Sequence, residues 1–218
     1  MARLKCAVVI SGRGSNLQAL IDACAAPSFP AEIVNVISDK PDAAGLKRAQ
    51  VAKIPCQVID PKKYDGRAGF DSALDEALKE RGAELVCLAG FMRVLSGGFV
   101  EKWRNKLINI HPSLLPAFPG LHTHERAIEA GVRFTGCTVH FVRNEVDSGP
   151  IILQAVVPVL PGDTPEMLAD RVLAAEHRIY PEALRLIGLG RVKVRDEIVQ
   201  IDGVQFAAAG LFNPIPGD

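Results

Sequence analysis

The chain lacks any surplus of charge. Its 218 residues carry 25 Lys and Arg against 25 Asp and Glu. Nucleic acids and anionic membrane surfaces are usually met by a basic excess, so neither is an expected partner; a local basic site for a small anion remains compatible. Long apolar runs are missing as well. The one near the N-terminus, Cys6 to Ile10, stops at Ser11-Gly12. That is too short for a signal peptide and far from the roughly 20 apolar residues of a membrane span. The expectation is a cytoplasmic protein. Paired cysteines are also absent. Cys6, Cys24, Cys56, Cys87 and Cys137 are scattered, odd in number and without a CxxC spacing. This excludes the usual zinc and redox motifs and points to small buried hydrophobes in a reducing compartment.

What is present is an alternation of strand and helix signals. Leu4 to Ile10, Ile33 to Ile37, Cys56 to Ile59 and Leu85 to Ala89 read as buried strands. Between them, Leu17, Leu20, Ile21 and Cys24 recur at helical spacing, with Ser15 or Asn16 as the expected N-cap. Ala43 to Ala52 and the stretch around Phe70, Leu74, Ala77 and Leu78 give two more helices. The second half is less regular. Leu107 to Ile110 is a strand; Thr135 to Val142 and Ile151 to Val159 form two more around a Gly149-Pro150 turn. Pro165 to Ile187 is a long amphipathic helix, with a kink or break expected near Pro181. Residues 190–201 suggest a small hairpin, and 206–218 a poorly ordered tail. The pattern predicts an α/β doubly wound, mostly parallel sheet, Rossmann-like, with ligands at the carboxyl edge of the strands.

Three segments carry possible chemistry. Ser11-Gly12-Arg13-Gly14-Ser15-Asn16 follows the first strand and opens a helix, where backbone N–H groups and the helix dipole favour a phosphate. It is neither a nucleoside-triphosphate loop nor a full dinucleotide fingerprint, and a tight turn without ligand is the alternative. Asn109-Ile110-His111-Pro112 ends a strand. Residues two apart share a face, so Asn109 and His111 project together. An amide donor beside an imidazolium suits a developing oxyanion; a hydrogen-bonded histidine at a strand end is the competing reading. Asp147, in Asp147-Ser148-Gly149, is by itself a turn residue. His122 and His124 lack a third ligand for a metal, His140 reads as structural, and Glu176-His177 as a solvated helix face.

Taken together and in order, these segments resemble the folate-dependent glycinamide ribonucleotide formyltransferases of purine synthesis, over about Leu4 to Leu189. The resemblance rests on Ile10 to Ala19, Leu88-Ala89-Gly90-Phe91-Met92-Arg93-Val94-Leu95, Asn109 to Pro116, Pro119-Gly120-Leu121-His122-Thr123-His124 and Asp147 to Ile152. It implies transfer of a formyl group from 10-formyltetrahydrofolate, as co-substrate, to the amine of glycinamide ribonucleotide, with no metal. His111 is then the general acid, Asn109 the holder of the formyl oxygen, and Asp147 the carboxylate that keeps His111 protonated. Gly14, Ser15 and Asn16 match the phosphate loop, and Glu176 an acidic contact to the ribonucleotide. Met92, Arg93, Val94 and Leu95, with Asn109, match the folate pocket, and Arg67 a folate-contacting arginine on a variable loop. Residues 143–147 match a loop against the pterin, and 112–124 a mobile flap. Residues 1–189 would form the catalytic domain and 190–218 a hairpin and loosely constrained tail, in a monomer or homodimer. Methionyl-tRNA formyltransferases and formyltetrahydrofolate deformylases share the Asn-x-His and Asp pattern. The Pro119 to His124 motif and the short tail argue against the first; Pro112 and a start at the first strand argue against the second. A non-catalytic nucleotide- or folate-binding module would not need all three catalytic residues.

Overall fold

The computed structural model describes residues 2–205 and 208–213. Its organising element is strand β1 (Leu4–Ile10), which is buried on both faces. Cys6, Val8 and Ile10 point to one face and Ala7 and Val9 to the other, as the two-residue repeat of a strand requires. Strands β2 (Ala31–Ser38), β3 (Cys56–Val58), β4 (Leu85–Leu88) and β5 (Leu107–His111) add to it in parallel. Strands β6 (Phe134–Phe141) and β7 (Ile151–Pro158) complete the sheet in antiparallel register. The order β3-β2-β1-β4-β5-β6-β7 reverses between β1 and β4. Loops leaving two neighbouring strands diverge at such a reversal and open a crevice at the carboxyl edge.

Helices cover both faces. Helices α1 (Ser15–Cys24), α2 (Ala44–Val51) and the long α6 (Pro165–Gly188) pack on the Cys6, Val8 and Ile10 side. On the opposite face lie α3 (Gly66–Glu80) and the short α4 (Gly97–Lys102). A third apolar cluster, built from Cys137, Val157, Leu168 and Val172, joins the antiparallel end of the sheet to α6 and to α5 (Thr123–Glu129). Full burial of a Leu or Ile side chain contributes about 1.5–3 kcal/mol, so these clusters dominate the energetics. Gly136 is obligatory in β6: a Cβ there would lie 1.9 Å from the Ala155 carbonyl oxygen.

One expectation changes: the break near Pro181 does not occur. Helix α6 runs through Pro181 without interruption. Tyr180, Ala183 and Leu184 are buried on either side of the proline, and their packing outweighs the loss of one N–H donor. Helices α4 and α5 were not visible as periodic segments. The predicted hairpin is present as β8 (Val192–Arg195) and β9 (Ile198–Ile201). Glu197 at its turn joins Arg104 at 2.6 Å and Arg143 at 2.5 Å, which ties the hairpin to the loop after β6. Of the tail expected to be poorly ordered, Asn213 donates to the Arg133 carbonyl at 2.7 Å, while residues 206–207 and 214–218 lie outside the described residues. No helix among the described residues is long and apolar enough to cross a membrane.

The Tyr180 hydroxyl is fully buried and donates to the Leu88 carbonyl at 2.8 Å, at the end of β4. Tyr180→Phe leaves that carbonyl without this donor. The expected cost is about 1–2 kcal/mol, read as a lower urea midpoint with an unchanged slope. An unaltered midpoint would show that the bond contributes nothing net.

Candidate active site

The loop between β1 and α1 approaches α2 closely enough that only glycine fits. A Cβ on Gly14, which has φ +69°, would stand 2.7 Å from Gly45 Cα. Gly45 N–H donates to the Gly12 carbonyl at 3.0 Å, and Arg48 Nε donates to the Arg13 carbonyl at 3.0 Å. The loop is therefore held from outside. The N-cap of α1 is Gly14, not Ser15 or Asn16, and no side chain caps the helix. The first-turn N–H groups are thus left free of side-chain caps and able to donate to an anion, the condition that phosphate binding at a helix start needs.

The expected cap residue Asn16 has another partner. Its Nδ2 donates to Glu176 Oε2 at 2.7 Å, and both side chains are buried. Glu176 is not on a solvated helix face. It lies four residues from Val172 and from Tyr180, on the buried stripe of α6. Burial raises the Glu176 carboxyl above the ordinary glutamate value, partly offset by the Asn16 amide. Asn16 Oδ1 is buried and unpaired.

The loops after β1 and β4 are laced together. Ser11 N–H donates to the Gly90 carbonyl at 3.2 Å, and Met92 N–H donates to Ser11 Oγ at 2.9 Å. Met92 and Val94 are exposed beside this junction, whereas Leu95 is buried in the core under α3. Arg93 stacks over Phe70 at 5.0 Å. Arg67 stands exposed in the first turn of α3.

Asn109 and His111 share a face of β5, and Asp147 meets them from the loop between β6 and β7. His111 Nδ1 is 3.3 Å from Asp147 Oδ2, and His111 Nε2 is 3.0 Å from the Phe118 carbonyl oxygen. Both ring nitrogens face oxygen atoms; a neutral ring could donate to one of them and an imidazolium to both. Asp147 Oδ2 also accepts the Gly120 N–H at 2.7 Å. Phe118, Gly120 and His122 all have positive φ, which folds the flap back onto the pair. The base of the flap is fastened to the sheet: Thr138 Oγ1 donates to the Ser113 carbonyl at 2.7 Å, and Gln154 Nε2 donates to the Leu115 carbonyl at 2.9 Å. An apolar recess lined by Leu115, Pro116, Pro119, Val146 and Ile151 opens beside Asp147.

One member of the site was missed. His140 pairs with Asn109 across β5 and β6, and its Nε2 lies 3.4 Å from Asn109 Nδ2. The sequence marks it only as a histidine alternating within a strand, which reads as structural. The non-local pairing that gives it meaning is invisible there.

An uncapped helix start and a histidine set beside an amide and a carboxylate thus stand at the same carboxyl edge of the sheet. The chain belongs to the formyl transferase family, whose pattern matches residues 4–184. It is 57% identical over 192 residues to the trifunctional purine biosynthetic protein adenosine-3 of Bos taurus, covering 88% of this chain and 19% of that protein. The chain therefore spans about a fifth of that relative. It is 44% identical over 203 residues to the phosphoribosylglycinamide formyltransferase of Escherichia coli (strain K12), covering 93% of this chain and 96% of that one. Among solved structures, glycinamide ribonucleotide transformylase 1 from Symbiobacterium toebii superposes with a TM-score of 0.89 at 52% identity, over 91% of this chain and 94% of that one.

The buried Glu176 generates a prediction. Its folded-state pKa is raised, so the folded protein holds that proton more tightly than the unfolded chain does. Stability then falls as pH rises through the raised value. Glu176→Gln should raise Tm at pH 8, by roughly 2–4 °C for each kcal/mol of relieved burial, and the gain should vanish toward pH 4. A pH-independent gain, or a loss at pH 8, would contradict it.

Proposed function

We propose that this chain is a cytoplasmic enzyme that transfers the formyl group of 10-formyltetrahydrofolate to the amine of glycinamide ribonucleotide. The products are N-formylglycinamide ribonucleotide and tetrahydrofolate. The observation that carries the reading is the buried His111–Asp147 contact beside Asn109, on a fold whose phosphate loop stands at the same edge.

The division of labour follows from charge. The amine attacks the formyl carbon, and the C=O electrons move onto oxygen. Asn109 Nδ2 donates to that oxygen, where negative charge develops. Collapse breaks the bond to the folate nitrogen. His111 supplies the proton that the departing nitrogen takes up, and the attacking nitrogen gives one up to the neutral imidazole this leaves, directly or through water, so protons balance and the acid is restored. Asp147 stays anionic and stabilises the imidazolium. The flap carbonyl of Phe118 occupies His111 Nε2, so the flap moves aside for this step. Gly14, Ser15 and Asn16 offer the phosphate their side chains and the backbone N–H groups of the helix start. Glu176, with Asn16 against it, faces the ribose. Met92, Val94 and the recess beside Asp147 supply the apolar wall for the pterin, Leu95 anchors that segment in the core, and Arg93 and Arg67 form the cationic rim for the glutamyl carboxylates. Residues 1–189 carry all these groups.

The test is formyl transfer by the purified protein, followed by folate absorbance. Turnover that requires glycinamide ribonucleotide supports the reading. Tetrahydrofolate release without it would indicate a deformylase, and ligand binding without turnover a binding module. His111→Ala should lower kcat by about 10²–10⁴-fold with little change in KM. Asp147→Asn, which keeps the shape and removes the charge, should also act on kcat. Ser15→Ala with Asn16→Ala should weaken ribonucleotide binding and spare folate; equal losses for both would mean misfolding.

A further inference from the structure

The site contains one buried ionisable group to which the mechanism gives no task. His140 is 1% exposed and sits directly across from Asn109. Its Nδ1 lies 3.0 Å from the Phe141 carbonyl oxygen and 3.1 Å from the Ser148 carbonyl oxygen. Two acceptors at one nitrogen require a hydrogen there. Nε2 is then a lone-pair acceptor when the ring is neutral, and it faces Asn109 Nδ2 at 3.4 Å.

Charge around the ring decides its state. Burial opposes the cation most strongly and His111 adds to it, the Phe141 and Ser148 carbonyls and Asp147 favour it, and the net pKa lies below the ordinary histidine value. A neutral ring cannot donate from Nε2. If the Asn109 amide were turned over, its Oδ1 would face that lone pair, acceptor against acceptor. The orientation of an amide is set by such a network. At 3.4 Å the contact is long for a hydrogen bond, so what it supplies is direction more than strength.

We propose that His140 is a positioning residue: as the neutral Nδ1–H tautomer it accepts from Asn109 Nδ2 and holds the amide in the orientation that leaves the second Nδ2 N–H for the formyl oxygen. The proposal rests on the reading of Asn109 as the oxygen holder. The same ring also grips the carbonyl of Ser148, the residue after Asp147. One imidazole thus sets the amide donor and steadies the loop that carries the carboxylate.

The test uses the whole chain. His140→Asn keeps a donor toward the two carbonyls but removes the acceptor that Asn109 faces. It should lower kcat by about 10–10²-fold, as expected for a misplaced donor, with both KM values nearly unchanged. His140→Gln places an amide oxygen near the Nε2 position and should recover most of kcat. In an Asn109→Ala background, adding His140→Asn should change kcat by less than about twofold, because the two substitutions remove one interaction. Nitrogen-15 spectra of the native protein at neutral pH should show a hydrogen on Nδ1 and none on Nε2. Full kcat in His140→Asn, a multiplicative loss in the double variant, or a hydrogen on Nε2 would each overturn the proposal. If Asn109→Ala alone leaves kcat intact, the oxygen-holder reading falls and this proposal with it. Should His140→Asn fail to fold, the His140→Gln rate and the nitrogen spectrum still decide.

Discussion

An imidazole enclosed between a carboxylate at 3.3 Å and a backbone carbonyl at 3.0 Å is the constraint on which the site depends. His111 is 5% exposed, and an unpaired charge there would be costly. The surroundings answer that cost atom by atom. Asp147 supplies the opposite charge, Phe118 accepts the second N–H, and the Gly120 N–H occupies the carboxylate oxygen that faces the ring. These partners come from two segments, the β6–β7 loop and the flap, so both must be in place around β5 before the arrangement exists. The Thr138 and Gln154 bonds to the flap and the Glu197 tether to Arg143 have this in common: they fix loops whose ends carry those partners.

At the other end of the crevice the constraint is steric. The Gly14 and Gly45 backbones are in direct contact, and Arg48 closes the loop from the side. The start of α1 is left uncapped because its polar side chains are directed elsewhere, Asn16 onto Glu176. A buried carboxylate with a raised pKa and a helix start without a cap each reduce stability. On the proposed function both would meet the ribonucleotide, a common exchange of stability for function.

Much of this was legible in the sequence, for identifiable reasons. Leu4 to Ile10 is apolar throughout because β1 is covered on both faces, and the spacing of Leu17, Leu20, Ile21 and Cys24 reports one buried stripe. Asn109 and His111 were placed together because a strand repeats every two residues. What escaped was short or non-local. Helices α4 and α5, of six and seven residues, span too few turns to show a period. Glu176 was misread although its position, four residues from Val172 and from Tyr180, already lay on the apolar stripe. His140 acquires meaning only through its cross-strand neighbour, and Asp147 only through a loop that folds back over the sheet. The family resemblance joined Asp147 to His111; spacing alone did not.

The Phe118 carbonyl on His111 Nε2 has a consequence for the protein without substrates. The proton that the acid would deliver is already engaged by the protein's own backbone, on the side opposite Asp147. With the flap in this position His111 is 5% exposed and closed to bulk water. On the proposed function the free protein keeps its acid latched, and the rate at which that ring hydrogen exchanges with solvent would become a clock for any opening of the flap.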